Sequence, residues 1–466
     1  MYKPNPAQED SNLQSLAQDP SSIHSHKLTE KLASFCVTTR AEDLPAAALE
    51  SGRQLILDTI GVSLLASTHK IGRLISAQAA ELGGYAQTAS IFGAGDLKVA
   101  PVFAAQANGT LANALDYDSG GHLPTHILPT TLAVAEEGQL SGRDTLAAFV
   151  VAYEAAARLT KVIDARRAEH RGPTYRGWWH VGLIGPVAAA LAACRLKGAD
   201  AEQTARAIGI ATASSAGFRR SMGTMTKALH SGNAARGGIE AAMLAMRGFT
   251  GDPEIIEAPL GFVAAIAMPD ERDATPITER LGRPFALEES PGVKRYPAVT
   301  PSHGVITAAL KLAAQGGYAV EDIKKVESDF RTFSLSRMQA RDEEEAGFCA
   351  PYLIAASLVH GAFGPEQILP AAINDPRVRK LSERVVQIPK TAGEGNVVTL
   401  HLRGGKTLSA RARGEHAVEP DFIALKFKQC ASAALNARAV DEIRDIVAHL
   451  HQHPSLDRLM ALARGA

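Results

Sequence analysis

At 466 residues the chain is too long for one hydrophobic core, so at least two domains are expected. Its 49 basic and 49 acidic residues cancel, with 15 histidines left neutral, which removes the electrostatic case for nucleic acid or an anionic membrane. Residues 1–27 are polar without the apolar core of a secretory signal, and no uninterrupted apolar run reaches the ~18 residues of a membrane span. A cytoplasmic protein is expected, residues 1–27 forming a loose tail or a swapped arm. Cys36, Cys194, Cys349 and Cys430 lie far apart with no CxxC, which predicts buried free thiols rather than a zinc site or a disulfide framework.

From Leu28 to about Met268 the chain is alanine-rich with helical periodicity. Leu55, Ile60 and Leu64 mark one apolar helix, and residues 99–115, 127–137, 144–159, 181–196, 201–212 and 228–246 read as others. Their small residues, such as Ala188-Ala189-Ala190, allow close packing in a thick bundle with buried central helices. After about Asp270 the texture changes. Residues 292–297 look like a short strand, 302–314 a helix, 323–333 a strand, 352–359 a helix, and 383–389 and 396–402 strands, the last followed by the turn pair Gly404-Gly405. From about Asp421 helices return, with Phe422, Leu425, Phe427, Ile443, Ile446 and Leu450 as apolar positions. The expected fold is mainly α: a large all-helical domain (1–270 and 405–466) interrupted by a smaller α+β lid domain (271–404), with a ligand cleft between them.

The densest chemistry is NGTLANALDYDSGGHLPTH, residues 108–126. A small-residue helix runs into Asp116 and Asp118, then a Gly-Gly turn, then His122 and His126. Carboxylates, imidazoles and permissive glycines in one loop suit proton transfer. Acids are disfavoured at a helix C-terminus, which sharpens the reading. The histidine spacing also suits a metal, but the loop holds Pro124 and two glycines and no HExxH occurs, so no metal is expected. GWWHVG (177–182) sets His180 at the start of an apolar helix, either a packed aromatic corner or a site. Lys227 and His230 share a face at a helix start, where cations are disfavoured and an anionic ligand resolves the conflict. A neighbouring cation and burial also lower a lysine pKa, as a general base requires. Lys294, Arg295, Tyr296 and His303 gather at a strand-to-helix corner, and Tyr352 opens an apolar helix.

The order of these segments, with KALHSGNAARGGIEAAMLA (227–245), KRYPAVTPSH (294–303) and PYLIAASLVHG (351–361), resembles the MmgE/PrpD family over nearly the whole chain from Leu28. That family includes 2-methylcitrate dehydratases, cis-aconitate decarboxylases and iminodisuccinate epimerases. The resemblance implies a helical domain with a small α+β lid, a homodimer, and no metal or organic cofactor. It implies catalytic roles for Asp116, His126, His180, Lys227, His303 and Tyr352. It also implies contact with substrate carboxylates for Lys294 and Arg295, and His122 and His230 join them as substrate-binding candidates. One departure stands out: dehydratases and decarboxylases tend to read Asp-Asp-Thr where this chain has Asp118-Ser119-Gly120. The expected activity is therefore cofactor-independent epimerisation of iminodisuccinate or a similar amino-polycarboxylic acid by α-proton transfer. A 2-methylcitrate-type dehydratase or cis-aconitate-type decarboxylase is the alternative, and a non-catalytic polycarboxylate-binding protein the alternative of another class.

Overall fold

The computed structural model describes residues 27–84, 86–163, 172–267, 274–289, 292–330, 339–414 and 416–465, so the arm expected at residues 1–27 lies outside them apart from Lys27. The first part is a helical bundle: α1 (Leu28–Thr38), α2 (Ala46–Ser67), α3 (Lys70–Leu82), α4 (Pro101–Asn113), α5 (Pro124–Gly138), α6 (Gly142–Ile163), α7 (His180–Lys197), α8 (Ala201–Ala211) and α9 (Met225–Met246). A short ribbon, β1 (Ala89–Ser90) with β2 (Lys98–Val99), precedes α4. Helix boundaries follow local chemistry. Pro101 and Pro124 open α4 and α5, where the missing N–H costs nothing. A reciprocal Asp200–Gln203 capping box starts α8.

Helix α7 is buried from Val181 to Cys194 and apolar on every side, which marks it as a central helix. By length and composition it passes for a membrane span, a correction to the reading by uninterrupted runs; here 78% of it is buried inside the protein. Pro186 removes one rung of its ladder, and the Gly182 carbonyl left over accepts the Ala216 N–H at 3.0 Å instead. Helix α9 crosses α7 so closely that a Cβ on Gly238 would meet the Ala189 Cβ at 2.3 Å. The alanine- and glycine-rich sequence is what permits that approach.

Beyond residue 292 a second hydrophobic cluster forms around α10 (His303–Gln315), β3 (Ile323–Ser328), α11 (Ala350–His360), α12 (Pro376–Ser382), β4 (Val385–Gln387), β5 (Asn396–Leu402) and β6 (Thr407–Ala412). The sheet order is β4-β3-β5-β6, with β3 parallel to β4 and antiparallel to β5, and β5 antiparallel to β6. The expected strand at 292–297 reduces to a single bridge position, Val293. Strand β3 stops at Ser328, and residues 331–333 of the longer expectation lie outside the described residues. The expected boundary at 404/405 falls in the hairpin turn, where Gly404 and Gly405 both take positive φ; the sheet runs on to Ala412. Helices α13 (Pro420–Ala431), α14 (Ala437–Ala448) and α15 (Asp457–Arg464) then return to the bundle, where Phe427, Ile443, Ile446 and Leu450 join its core. Leu425, by contrast, faces outward. All four cysteines are buried free thiols. The fold is mainly α.

Candidate active site

The loop after α4 is the centre of the site. Helix α4 ends at Asn113, and three residues on Asp116 takes φ +50°, a left-handed conformation that aspartate tolerates better than most residues. Its carboxylate is buried with two ammonium groups. Lys227, in the first turn of α9, reaches Asp116 Oδ1 and the Asn113 carbonyl. Lys294 lies 2.7 Å from Oδ2 and donates to the Asp116 carbonyl at 3.0 Å. Burial alone would raise the Asp116 pKa, but Lys227, Lys294 and His122 outweigh it and hold the carboxyl well below its ordinary range. The misplaced acid at a helix C-terminus and the misplaced cation at a helix N-terminus answer each other. Asp116 supplies the anion that the α9 cations call for.

Burial lowers the Lys227 pKa, with Lys294 adding to that and Asp116 opposing it. Each ammonium has three N–H bonds and two oxygen acceptors among the described residues, which leaves one donor unassigned on each.

Around this clasp stand imidazoles. His122 presents Nδ1 to both Asp118 oxygens at 2.9 Å, which fixes the proton on Nδ1, because a carboxylate only accepts. Burial keeps its pKa below the usual value despite Asp118. His126, in the first turn of α5, is fully buried and neither ring nitrogen has a hydrogen-bond partner among the described residues; burial, then His180 and His122, press its pKa to about 3. His180 opens α7 and its Nε2 donates to the Gly121 carbonyl at 3.0 Å. Its ring lies 4.6 Å from that of Trp179. Trp179 also stacks near His122 at 5.6 Å and lies under the Lys227 ammonium at 5.9 Å, with its indole N–H buried and without a partner among the described residues.

From α10 and from the stretch after β6 come His303 and His416. His303, the first residue of α10, sets Nε2 on the Ala298 carbonyl at 3.1 Å and leaves Nδ1 buried without a described partner. Burial, then Lys294, lowers its pKa to about 3. A set of bridges ties the lid to the loop: Ser119 pairs with Val293 and Val293 with Ala417, while the Lys294 N–H donates to the Asp118 carbonyl at 3.1 Å. Behind the loop a second buried pair, Lys426 and Asp58 at 2.7 Å, holds it from below. Lys426 also donates to the Tyr117 carbonyl at 2.5 Å and lies 4.0 Å over the Tyr117 ring.

Of the sequence-predicted residues, Asp116, His122, His126, His180, Lys227, Lys294 and His303 converge. Three do not. Arg295 turns outward to Glu419 at 2.8 Å and over Phe422, because its neighbour Lys294 takes the inward position. Tyr352 is buried in the lid core with its hydroxyl donated to the Gln367 carbonyl. His230 faces Ser221 at 3.2 Å, one turn along α9 from Lys227. Asp118, read with Asp116 as an acid of the loop, joins the cluster, and Trp179 and His416 belong to it beyond those expected. Asp118 and Trp179 sit inside the flagged motifs, but His416 stands in an unpatterned stretch with no local signal. Two aspartates and two lysines balance at the centre. An incoming anion is therefore met by directed N–H donors more than by net charge.

The chain matches the MmgE/PrpD N-terminal domain over residues 30–274 and the MmgE/PrpD C-terminal domain over residues 296–452. It is 26% identical to a cis-aconitate decarboxylase of Homo sapiens, over 94% of this chain and 95% of that protein. A cis-aconitate decarboxylase of Mus musculus is 24% identical over 94% and 93%. A cis-aconitate decarboxylase-like protein, oryM, of Aspergillus oryzae is 26% identical over 94% and 97%.

Proposed function

The chain belongs to the MmgE/PrpD family, and from that membership we propose an enzyme that moves a proton at the carbon α to a carboxylate of a polycarboxylic acid. The observation that carries the reading is the Asp116 carboxylate clasped by Lys227 and Lys294, with neutral imidazoles on two sides of it. The spare N–H bonds of the lysines take a substrate carboxylate and stabilise the charge that builds on it as the α-proton leaves. An imidazole of pKa about 3 does not hold a proton at neutral pH; a bound carboxylate raises that value and readies the ring to accept one.

Epimerisation needs proton-handling groups on opposite faces of the carbon. His126, His180 and Lys227 come from the bundle, His303 from the lid, and the substrate lies between. The reading is epimerisation of iminodisuccinate or a similar amino-polycarboxylic acid. Within the resemblance its support is Gly120, where dehydratases and decarboxylases tend to carry threonine, and the structure adds that an imidazole packs over that glycine. The named relatives favour a second reading, decarboxylation of a cis-aconitate-type acid.

Proton NMR in deuterium oxide with single iminodisuccinate stereoisomers separates them. Deuterium at the α carbon with appearance of the other stereoisomers is the expected result. No exchange, together with loss of CO₂ from cis-aconitate, replaces the first reading by the second. Inertness toward both acids and 2-methylcitrate, with retained binding, leaves a polycarboxylate-binding protein.

A further inference from the structure

Gly120 lies beneath an imidazole from the far end of the chain. A Cβ on it would stand 2.8 Å from Cε1, 3.2 Å from Nδ1 and 3.4 Å from Nε2 of His416. The ring and any side chain at 120 therefore claim the same space. Gly292 clears the other end, since its own Cβ would fall 2.8 Å from the His416 Cβ. The stem is fixed next door, where Ala417 exchanges both backbone hydrogen bonds with Val293 at 2.8 and 2.7 Å. The ring packs edge-on to His303, with centroids 5.9 Å apart and planes at 68°. Its Nε2 is buried and has no hydrogen-bond partner among the described residues. Burial, then Lys294, lowers the pKa to about 4, so the ring is neutral near pH 7 with one nitrogen to donate and one to accept.

We propose that His416 is a specificity-determining residue: its ring fills the space over Gly120, offers Nε2 to the bound acid, and so selects which polycarboxylate fits beside Asp116. The proposal rests on the reading of this cluster as a polycarboxylate site. Selection works by shape and by one hydrogen bond. An acid with a bulky group over Gly120 meets the ring, and one with no partner for Nε2 leaves a buried polar atom unsatisfied.

The test is a double-mutant cycle of wild type, G120A, H416A and G120A/H416A. It reads kcat/KM for the acid the wild type turns over and inhibition constants for cis-aconitate, 2-methylcitrate and citrate. G120A pushes the ring aside and is expected to lower kcat/KM by about tenfold or more. H416A costs a similar factor and shifts the relative affinity among the acids by about tenfold. The double variant is expected to be no worse than H416A, because no ring remains to displace. Equal loss from G120A with and without His416, or unchanged relative affinities in H416A, overturns the proposal. Should the wild type turn over none of the acids, the functional reading falls. His416 is then judged by calorimetric binding of citrate across the same four proteins, where additive effects or no binding at all overturn it. Thermal midpoints confirm folding, and H416N stands in if H416A does not fold.

Discussion

Lys227 carries the sharpest expectation at the scale of single residues. Its ammonium is the group through which α9 reaches both Asp116 and any acid bound there. K227A is expected to lower kcat by about 10² or more, read in steady-state assays at saturating substrate. Turnover within a few-fold of wild type would remove Lys227 from proton transfer and charge stabilisation alike. Tyr352 carries the opposite expectation. Its hydroxyl is committed to the Gln367 carbonyl inside the lid core, so Y352F is expected to keep kcat within about twofold while losing roughly 1 kcal/mol of stability in urea titration.

The buried histidines make stability depend on pH with a definite sign. His126 and His303 have folded pKa values near 3, against about 6.5 when unfolded. Between those values the unfolded chain binds protons that the native protein refuses, so stability is full above pH ~6.5 and declines as pH falls toward 3. Thermal midpoints from pH 7.5 down to 4.5 are expected to fall, and H126Q to flatten the slope. An H126Q slope identical to that of wild type would mean that His126 takes up its proton as readily in the native protein as in the unfolded chain.

Elements decide where these residues can act. The loop from Ala114 to Leu123 is pinned from below by Lys426 on α13, which grips Tyr117 and pairs with Asp58 on α2. Burial raises the Asp58 pKa to about 6 even with Lys426 beside it, so the carboxylate depends on that partner. K426M leaves it without the ammonium and is expected to cost about 3–5 kcal/mol in urea unfolding. Replacing both, as D58L/K426M, is expected to recover most of the loss, which distinguishes a missing partner from a missing shape.

Much of this scale was legible in the sequence. Helices appear in the order predicted, because alanine-rich periodicity is a local property. The loop of Asp116 and His122 could be found, because acids and imidazoles crowd one short stretch. What escaped was set by partners far along the chain. Arg295 was expected inward and points outward, since Val293 is a bridge point rather than part of a full strand and sends Lys294 in. His416 carries no motif, and only its closeness to Gly120 reveals it. Strand β6 was missed although Thr407, Ser409 and Arg411 alternate with Leu408, Ala410 and Ala412, because two of those three apolar side chains are small alanines that favour strands little, and its place is set by pairing with β5.

Across the whole molecule, the bundle and the α+β unit meet through an apolar cluster, Trp179, Val181 and Met222 against Val299 and Phe348, and through polar ties. Lys294 binds Asp116 at one place, and His69 faces Glu343 at 2.6 Å at another. The second tie shares no residue with the acid cluster, so it can be cut without removing a member of that cluster. E343A is expected to speed hydrogen exchange at residues 341–346 and at the start of α3, with the centre of α7 unchanged. Uniformly faster exchange would show that Glu343 supports the whole fold instead.

The long spans in these ties also set an order of events during synthesis. Asp116 waits 178 residues for Lys294, and Tyr117 waits 309 for Lys426. At ribosomal speeds of about 5–20 residues per second, the first wait alone lasts on the order of 10 s. Through that interval Asp116 gains Lys227, 111 residues on, but not yet Lys294, so the clasp on its carboxylate stays half complete. The growing chain must shelter or leave wet the carboxylates of Asp116 and Asp118, which later become buried. A product released before Lys426 would carry every motif read from its first half and still lack the means to assemble them.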